Sequence, residues 1–218
     1  MARLRVLGVD PGSVTMGVAV IDFERGEAVC VHLASVALKA SIGSPFKAAG
    51  DFHARLGAVF SEINQLITQF SPDEFAIEQI FMFRSPESSL KLAQARGAAI
   101  AAAVQGGLNV HEYMPATVKQ AVVGTGRADK VQVQHMVKRL LNLSHPPPAD
   151  GADAAAIALC HCYRRTSLVA LQTEHIPPAK AELLRHLAQS RHRSRSGQET
   201  WTELALARAR KTKGKPTP

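Results

Sequence analysis

Four carboxylates stand where carboxylates are costly. Asp10 closes the apolar run Val6-Leu-Gly-Val9, and Glu78 sits inside Phe75-Ala-Ile-Glu-Gln-Ile-Phe81. Asp150 and Asp153 are three positions apart at the start of an alanine-rich helix, so both project from one face. A buried carboxylate without a partner costs several kcal/mol. If the strands carrying Asp10 and Glu78 are neighbours, like charges converge and a cation must sit among them. Mg2+ or Mn2+, bound by carboxylate and water oxygens, meets that need. Acids around two such ions hold a scissile phosphate, polarise it, activate water and stabilise the departing oxyanion. That is the chemistry of metal-dependent nucleases.

Each acid has a plainer explanation. An Asp before Pro-Gly is commonly a turn former, and Asp150 alone reads as a helix N-cap. Glu78 is the hardest to explain away. Other constellations carry less. Gly124-Thr-Gly126-Arg-Ala-Asp129 starts like a dinucleotide loop, but Asp stands at the third glycine position and no long strand precedes it. Cys160-His161-Cys162 is not spaced for zinc, and its cysteines read as core residues. No Gly-x-Ser-x-Gly elbow or Walker loop is present.

The elements that must position the acids follow from periodicity. Leu4–Asp10, Thr15–Phe23 and Ala28–Leu38 read as a three-strand antiparallel meander, with a hairpin turn at Glu24-Arg-Gly-Glu27. From Lys47 the period turns helical, with Phe52, Leu56, Val59, Ile63, Leu66, Ile67 and Phe70 on one stripe. Glu74–Phe81 reads as a strand, Ser88–Val104 as a helix and Leu108–Tyr113 as a strand. Helices follow at Pro115–Val123, Asp129–Leu141 and roughly 150–164. The order βββ-α-β-α-β-α-α-α predicts a mixed five-stranded sheet flanked by helices, in the α/β class. Ala93, Gly97 and Ala101 form a small-residue stripe that suits either close packing on the sheet or the approach of another helix.

With 218 residues and 46% hydrophobic residues, the chain can bury one full core. Three cysteines exclude a disulfide framework. No apolar run suits a membrane span, and the first residues do not suit a signal peptide, so a cytoplasmic protein is expected. The formal charge of +8 is uneven. Residues 1–165 carry 16 Lys/Arg against 14 Asp/Glu, and residues 166–218 carry 10 against 4. The basic excess therefore belongs to the tail, expected to be a partly helical or disordered extension beyond a 1–165 nuclease domain.

Six segments together resemble the RuvC family of crossover-junction endodeoxyribonucleases. They are Leu7-Gly-Val-Asp-Pro-Gly-Ser13, Ile77-Glu-Gln-Ile-Phe-Met82, Leu90-Lys-Leu-Ala-Gln-Ala-Arg-Gly97, Val118-Lys-Gln-Ala-Val-Val-Gly124, Asp129-Lys-Val-Gln-Val-Gln-His-Met-Val137 and Asp150-Gly-Ala-Asp-Ala154. The resemblance implies a ribonuclease-H-like fold acting as a homodimer on four-way (Holliday) DNA junctions, making paired nicks that leave 5′-phosphate ends. It places the family's metal-binding, catalytic acids on Asp10, Glu78, Asp150 and Asp153, holding two Mg2+ ions or Mn2+. It places DNA-contacting residues on Phe81, Lys119 and Lys130, and brings in the RuvA-RuvB branch-migration motor as a further partner. The rival readings are an actin-like or sugar-kinase-like ATPase domain, a non-catalytic junction-binding protein, and a shorter ribonuclease-H-like family linked to RNA processing. The first lacks room for its second domain in 165 core residues. The second does not explain intact acids beside DNA phosphates, and the third accounts only for the opening motif.

Overall fold

A computed structural model describes residues 3–38, 52–80 and 85–173, with side chains in the last helix described to residue 166. The chain divides into two compact units, Met1–Leu168 and Val169–Pro218. The first contains all five strands, the first four helices and the last helix up to Leu168. Phe81, residues 47–51 and the tail from 174 lie outside the described residues.

The strands are β1 (Leu4–Asp10), β2 (Thr15–Glu24), β3 (Glu27–Ala37), β4 (Glu74–Glu78) and β5 (Asn109–Tyr113). The helices are α1 (Phe52–Phe70), α2 (Pro86–Gln105), α3 (Pro115–Val123), α4 (Lys130–Leu140) and α5 (Ala149–Thr173). The element order is the one the periodicity predicts. The hairpin is tighter than expected, because Glu24 and Glu27 pair as strand residues and only Arg25 and Gly26 turn. The fourth strand ends at Glu78 rather than running on, and the last helix continues to Thr173.

The sheet order is β3-β2-β1-β4-β5. β1 pairs antiparallel with β2 and parallel with β4, which itself pairs parallel with β5. Alternation along the strands splits the core in two. Leu7, Val9, Val18, Val20, Phe75 and Ile77 pack against α1 and α2. Val6, Ala19, Ile21 and Ala76 pack against α3, α4 and α5. Glu74, Ala76 and Glu78 therefore share the face of β4 turned towards α5, with Gly8 and Asp10 beside them on β1.

α5 lies unusually close to the sheet. A Cβ on Gly8 would collide with the Ala154 carbonyl and lie 2.8 Å from the Ala158 Cβ; one on Gly17 would collide with the Asp150 carbonyl. Only glycine at these two positions lets the helix backbone settle onto β1 and β2. Ala154 and Ala158 meet the sheet at these glycines, and Ala152, Ala155 and Ala156 beside them are buried as well. No helix among the described residues is long and apolar enough to cross a membrane.

Candidate active site

Parallel pairing of Val9 with Ile77 brings the ends of β1 and β4 level, so Asp10 and Glu78 emerge side by side. The close approach of α5 sets Asp150 and Asp153 above them. All four acids share one electrostatic environment. Burial pushes the Asp10 carboxyl up to about 8, reinforced by Glu78, Asp153 and Asp150 and opposed by Lys130. Burial pushes Glu78 up to about 7, with Asp153 adding to the rise and Lys119 and Lys130 opposing it. A cavity of about 150 Å3 opens on the pair, lined by Asp10, Pro11, Glu78, Gln79, Leu92 and Pro115.

The plainer explanations of the acids do not describe this arrangement. Asp150 lies within the first turn of α5, and its Oδ2 accepts a 2.9 Å hydrogen bond from the Ser35 hydroxyl on β3. Lys130, at the start of α4, reaches Asp153 Oδ2 at 3.3 Å, and this contact raises the lysine's pKa. Asp129 before it is a helix cap, exchanging hydrogen bonds with Gln132 in a capping box. That capping role is the physical content of the glycine-rich Gly124–Asp129 stretch. Lys119, half-buried on α3, is near enough to Glu78 to act on its charge.

The structure thus brings Asp10, Glu78, Asp150, Asp153, Lys119 and Lys130 together. Two supporting residues are absent from the sequence-based site. Ser35 gives no signal in a valine-rich strand. Arg96, inside one of the matched segments, donates from Nε to the Glu78 carbonyl oxygen at 3.0 Å and pairs with Glu112 at 2.6 Å. It anchors the strand end that carries Glu78.

A mixed sheet in this order, with acids converging from β1, β4 and α5, defines a ribonuclease-H-like nuclease. A family model described as crossover junction endodeoxyribonuclease RuvC matches residues 6–161. The chain belongs to the RuvC family of crossover junction endodeoxyribonucleases. It is 49% identical over 164 residues to the crossover junction endodeoxyribonuclease RuvC of Aeromonas salmonicida, covering 75% of this chain and 90% of that protein. Against the same enzyme of Marinobacter nauticus it is 51% identical over 164 residues, covering 75% and 89%. Among solved structures, Thermus thermophilus RuvC in complex with Holliday junction substrate matches with a TM-score of 0.65 and 34% identity, over 75% of this chain and 96% of that one. The yeast mitochondrial Holliday junction resolvase Ydc2 shares the fold at a TM-score of 0.59 and 18% identity, over 77% and 81%.

Proposed function

We propose that this chain resolves four-way DNA junctions by paired symmetric nicks, each made at an ion site formed by Asp10, Glu78, Asp150 and Asp153. The convergence of four carboxylates from three separate segments, two of them pushed up to about 8 and about 7, carries this reading. Like charges crowded in a half-buried site resist ionisation until a cation joins them. The donors are all carboxylate oxygens, with no imidazole or thiolate among them, which fits a hard ion such as Mg2+ or Mn2+. Two ions held by these four carboxylates would supply Lewis-acid polarisation of the phosphate and a nucleophilic water.

The chain's own residues do the positioning. Ser35 fixes the Asp150 carboxylate through its hydroxyl, and Arg96 fixes the backbone at Glu78. Lys119 and Lys130 supply positive charge at the rim of the site, where phosphates neighbouring the cut would lie. Phe81, three residues beyond Glu78 in the sequence, is assigned to stacking on a base of the opened crossover, a contact worth about 1–3 kcal/mol.

Paired nicks require two active sites, and a homodimer supplies them with the two-fold symmetry of the junction. The small-residue stripe supports that assembly. Ala93, Gly97 and Ala101 lie on the exposed face of α2 rather than against the sheet, flanked by Leu90 and Val104 at 66% and 61% exposure.

A synthetic immobile junction tests the reading. Asp10→Asn, Glu78→Gln, Asp150→Asn and Asp153→Asn should each slow cleavage at saturating Mg2+ by at least about 100-fold, because each removes an ion ligand. Junction affinity should stay within a few-fold, since phosphate and shape contacts position the DNA. The wild-type products should be ligatable nicks with 5′-phosphate and 3′-hydroxyl ends. Wild-type cutting by any one variant removes that residue from the site.

A further inference from the structure

The opposite end of β4 carries a second polar cluster, with different chemistry and no part in the reaction above. Glu74 opens the strand and faces α5, as Glu78 does at the other end. Over it lie His161 of α5, 2% exposed, and His111 of β5, their rings 4.4 Å apart between centroids. His161 Nε2 hydrogen-bonds to Glu74 Oε2, and its Nδ1 faces the Tyr113 hydroxyl at 2.6 Å. Arg165 Nε lies 3.3 Å from the other oxygen of Glu74, Oε1.

These contacts leave one atom unexplained. His111 Nε2 is buried and makes no hydrogen bond, and it points towards Glu74 Oε2 at 3.6 Å. That distance is too long for a hydrogen bond. One carboxylate oxygen and two imidazole nitrogens therefore converge on a common point, all within 4.8 Å of one another. A cavity of about 380 Å3, lined by Asn109, Tyr113, Arg164 and Arg165 as well as the three ligands, opens on that point.

We infer that Glu74, His111 and His161 form a binding site for a zinc-class divalent ion, held through Glu74 Oε2 and the two Nε2 atoms. Two imidazoles and one carboxylate are the borderline donors that Zn2+ and its first-row neighbours take, and Mg2+ does not compete well for them. The cavity leaves the remaining coordination position to water. The outer contacts are those of a metal-bound histidine, whose second ring nitrogen is held by a hydrogen-bonding neighbour. For the ion to bind, the His161 ring proton moves from Nε2 to Nδ1. There it is donated to the Tyr113 oxygen, so the imidazole stays neutral and releases no proton. Arg165 keeps Oε1 and leaves Oε2 to the ion. The bound ion would join β4, β5 and α5 at one point.

Zinc titration of the full chain, with the four active-site acids replaced by amides, separates this site from the oxygen-only one. One equivalent of Zn2+ should bind that variant, raise its thermal midpoint, and be replaced by Co2+ with a visible ligand-field absorption. His111→Phe, which keeps an aromatic ring in the strand, should weaken Zn2+ binding by at least about 100-fold, because loss of an outer hydrogen-bond partner alone costs 10–100-fold. Cooperative unfolding of metal-free His111→Phe checks that it remains folded, and Glu74→Gln serves as the second variant. Loss of zinc on neutralising the four acids would place the ion in the nuclease site instead. Unchanged zinc affinity in both His111→Phe and Glu74→Gln would assign it to other histidines of the chain. Either result overturns the inference, as does the absence of stoichiometric binding.

Discussion

Glu74 and Glu78 stand at the two ends of one short strand, on the same face and under the same helix, yet their carboxyls are driven in opposite directions. Burial raises both. At Glu78 the neighbouring carboxylate of Asp153 raises it further, and two lysines only partly offset the sum, leaving it at about 7. At Glu74 the hydrogen bond from His161, together with the positive charge of Arg165, outweighs burial and holds the group below the ordinary range. At Glu74 the neighbours overcome burial, whereas at Glu78 burial leads and the mixed charges around it do not reverse it. One end has been given its counter-charges by the chain, and the other has been left short of positive charge. A shortfall of that kind is costly in the metal-free protein and useful only when a cation arrives to fill it.

The two ends of β4 differ most in what they contribute to stability. In metal-free buffer at pH 8, Asp10→Asn combined with Glu78→Gln should raise the unfolding free energy by about 2–4 kcal/mol, since repulsion and desolvation both disappear. Glu74→Gln should do the reverse, lowering it by about 1–3 kcal/mol, because an amide leaves Arg165 and His161 imperfectly paired. Urea unfolding measures both. Destabilisation by the double variant would mean that the acid end is already balanced within the chain.

The pH profile sharpens the same contrast. Asp10 and Glu78 titrate near 8 and 7 in the folded chain but near 4 when unfolded, so the folded state holds the extra protons in between. Metal-free stability should therefore fall as pH rises from about 4 to about 8, and the double variant should flatten that fall. Glu74, held low, contributes stability above its unfolded pKa near 4.5, and that contribution is lost as pH drops below it. A metal-free profile without the decline between pH 4 and 8 would rule out the crowding of the two raised acids.

The smallest effect is expected at the rim. The Lys130 side chain is 74% exposed beside Asp153. Lys130→Ala should shift stability by no more than about 0.5 kcal/mol. It should nonetheless reduce the slope of log junction affinity against log salt by about one, if the ammonium neutralises a phosphate. An unchanged slope would assign Lys130 to Asp153 alone.

The two ends also differ in how legible they are from sequence. The acid end can be read because each of its members interrupts an apolar run or sits on an alanine helix, and a charge in such company needs a reason. Asp150 and Asp153 announce each other by spacing. Glu74 gives no such signal, because it follows Ser71-Pro-Asp73 and reads as the polar edge of a strand. His161 is overshadowed by its cysteine neighbours, and its partner lies 87 residues away. His111 is one residue of a short strand whose facing is set only by the sheet. Ser35 is hidden for the same reason, since its partner Asp150 is 115 residues distant. The order of elements follows from periodicity, but contacts between side chains on three different elements depend on register, which periodicity does not contain.

The glycine-and-alanine seam between β1, β2 and α5 has a consequence for how precisely the acids can be held. Glycine and alanine have no side-chain rotamers, so this interface has no alternative packings to sample and loses no side-chain entropy on forming. The gap between the strand bearing Asp10 and the helix bearing Asp150 and Asp153 is therefore set by backbone in direct contact with methyl groups. A seam of leucines would fill the same space with many nearly equivalent arrangements and let the gap breathe. Here the gap behaves as a machined tolerance: thermal motion can rock the helix and sheet together, but it has little means of sliding one acid away from the other.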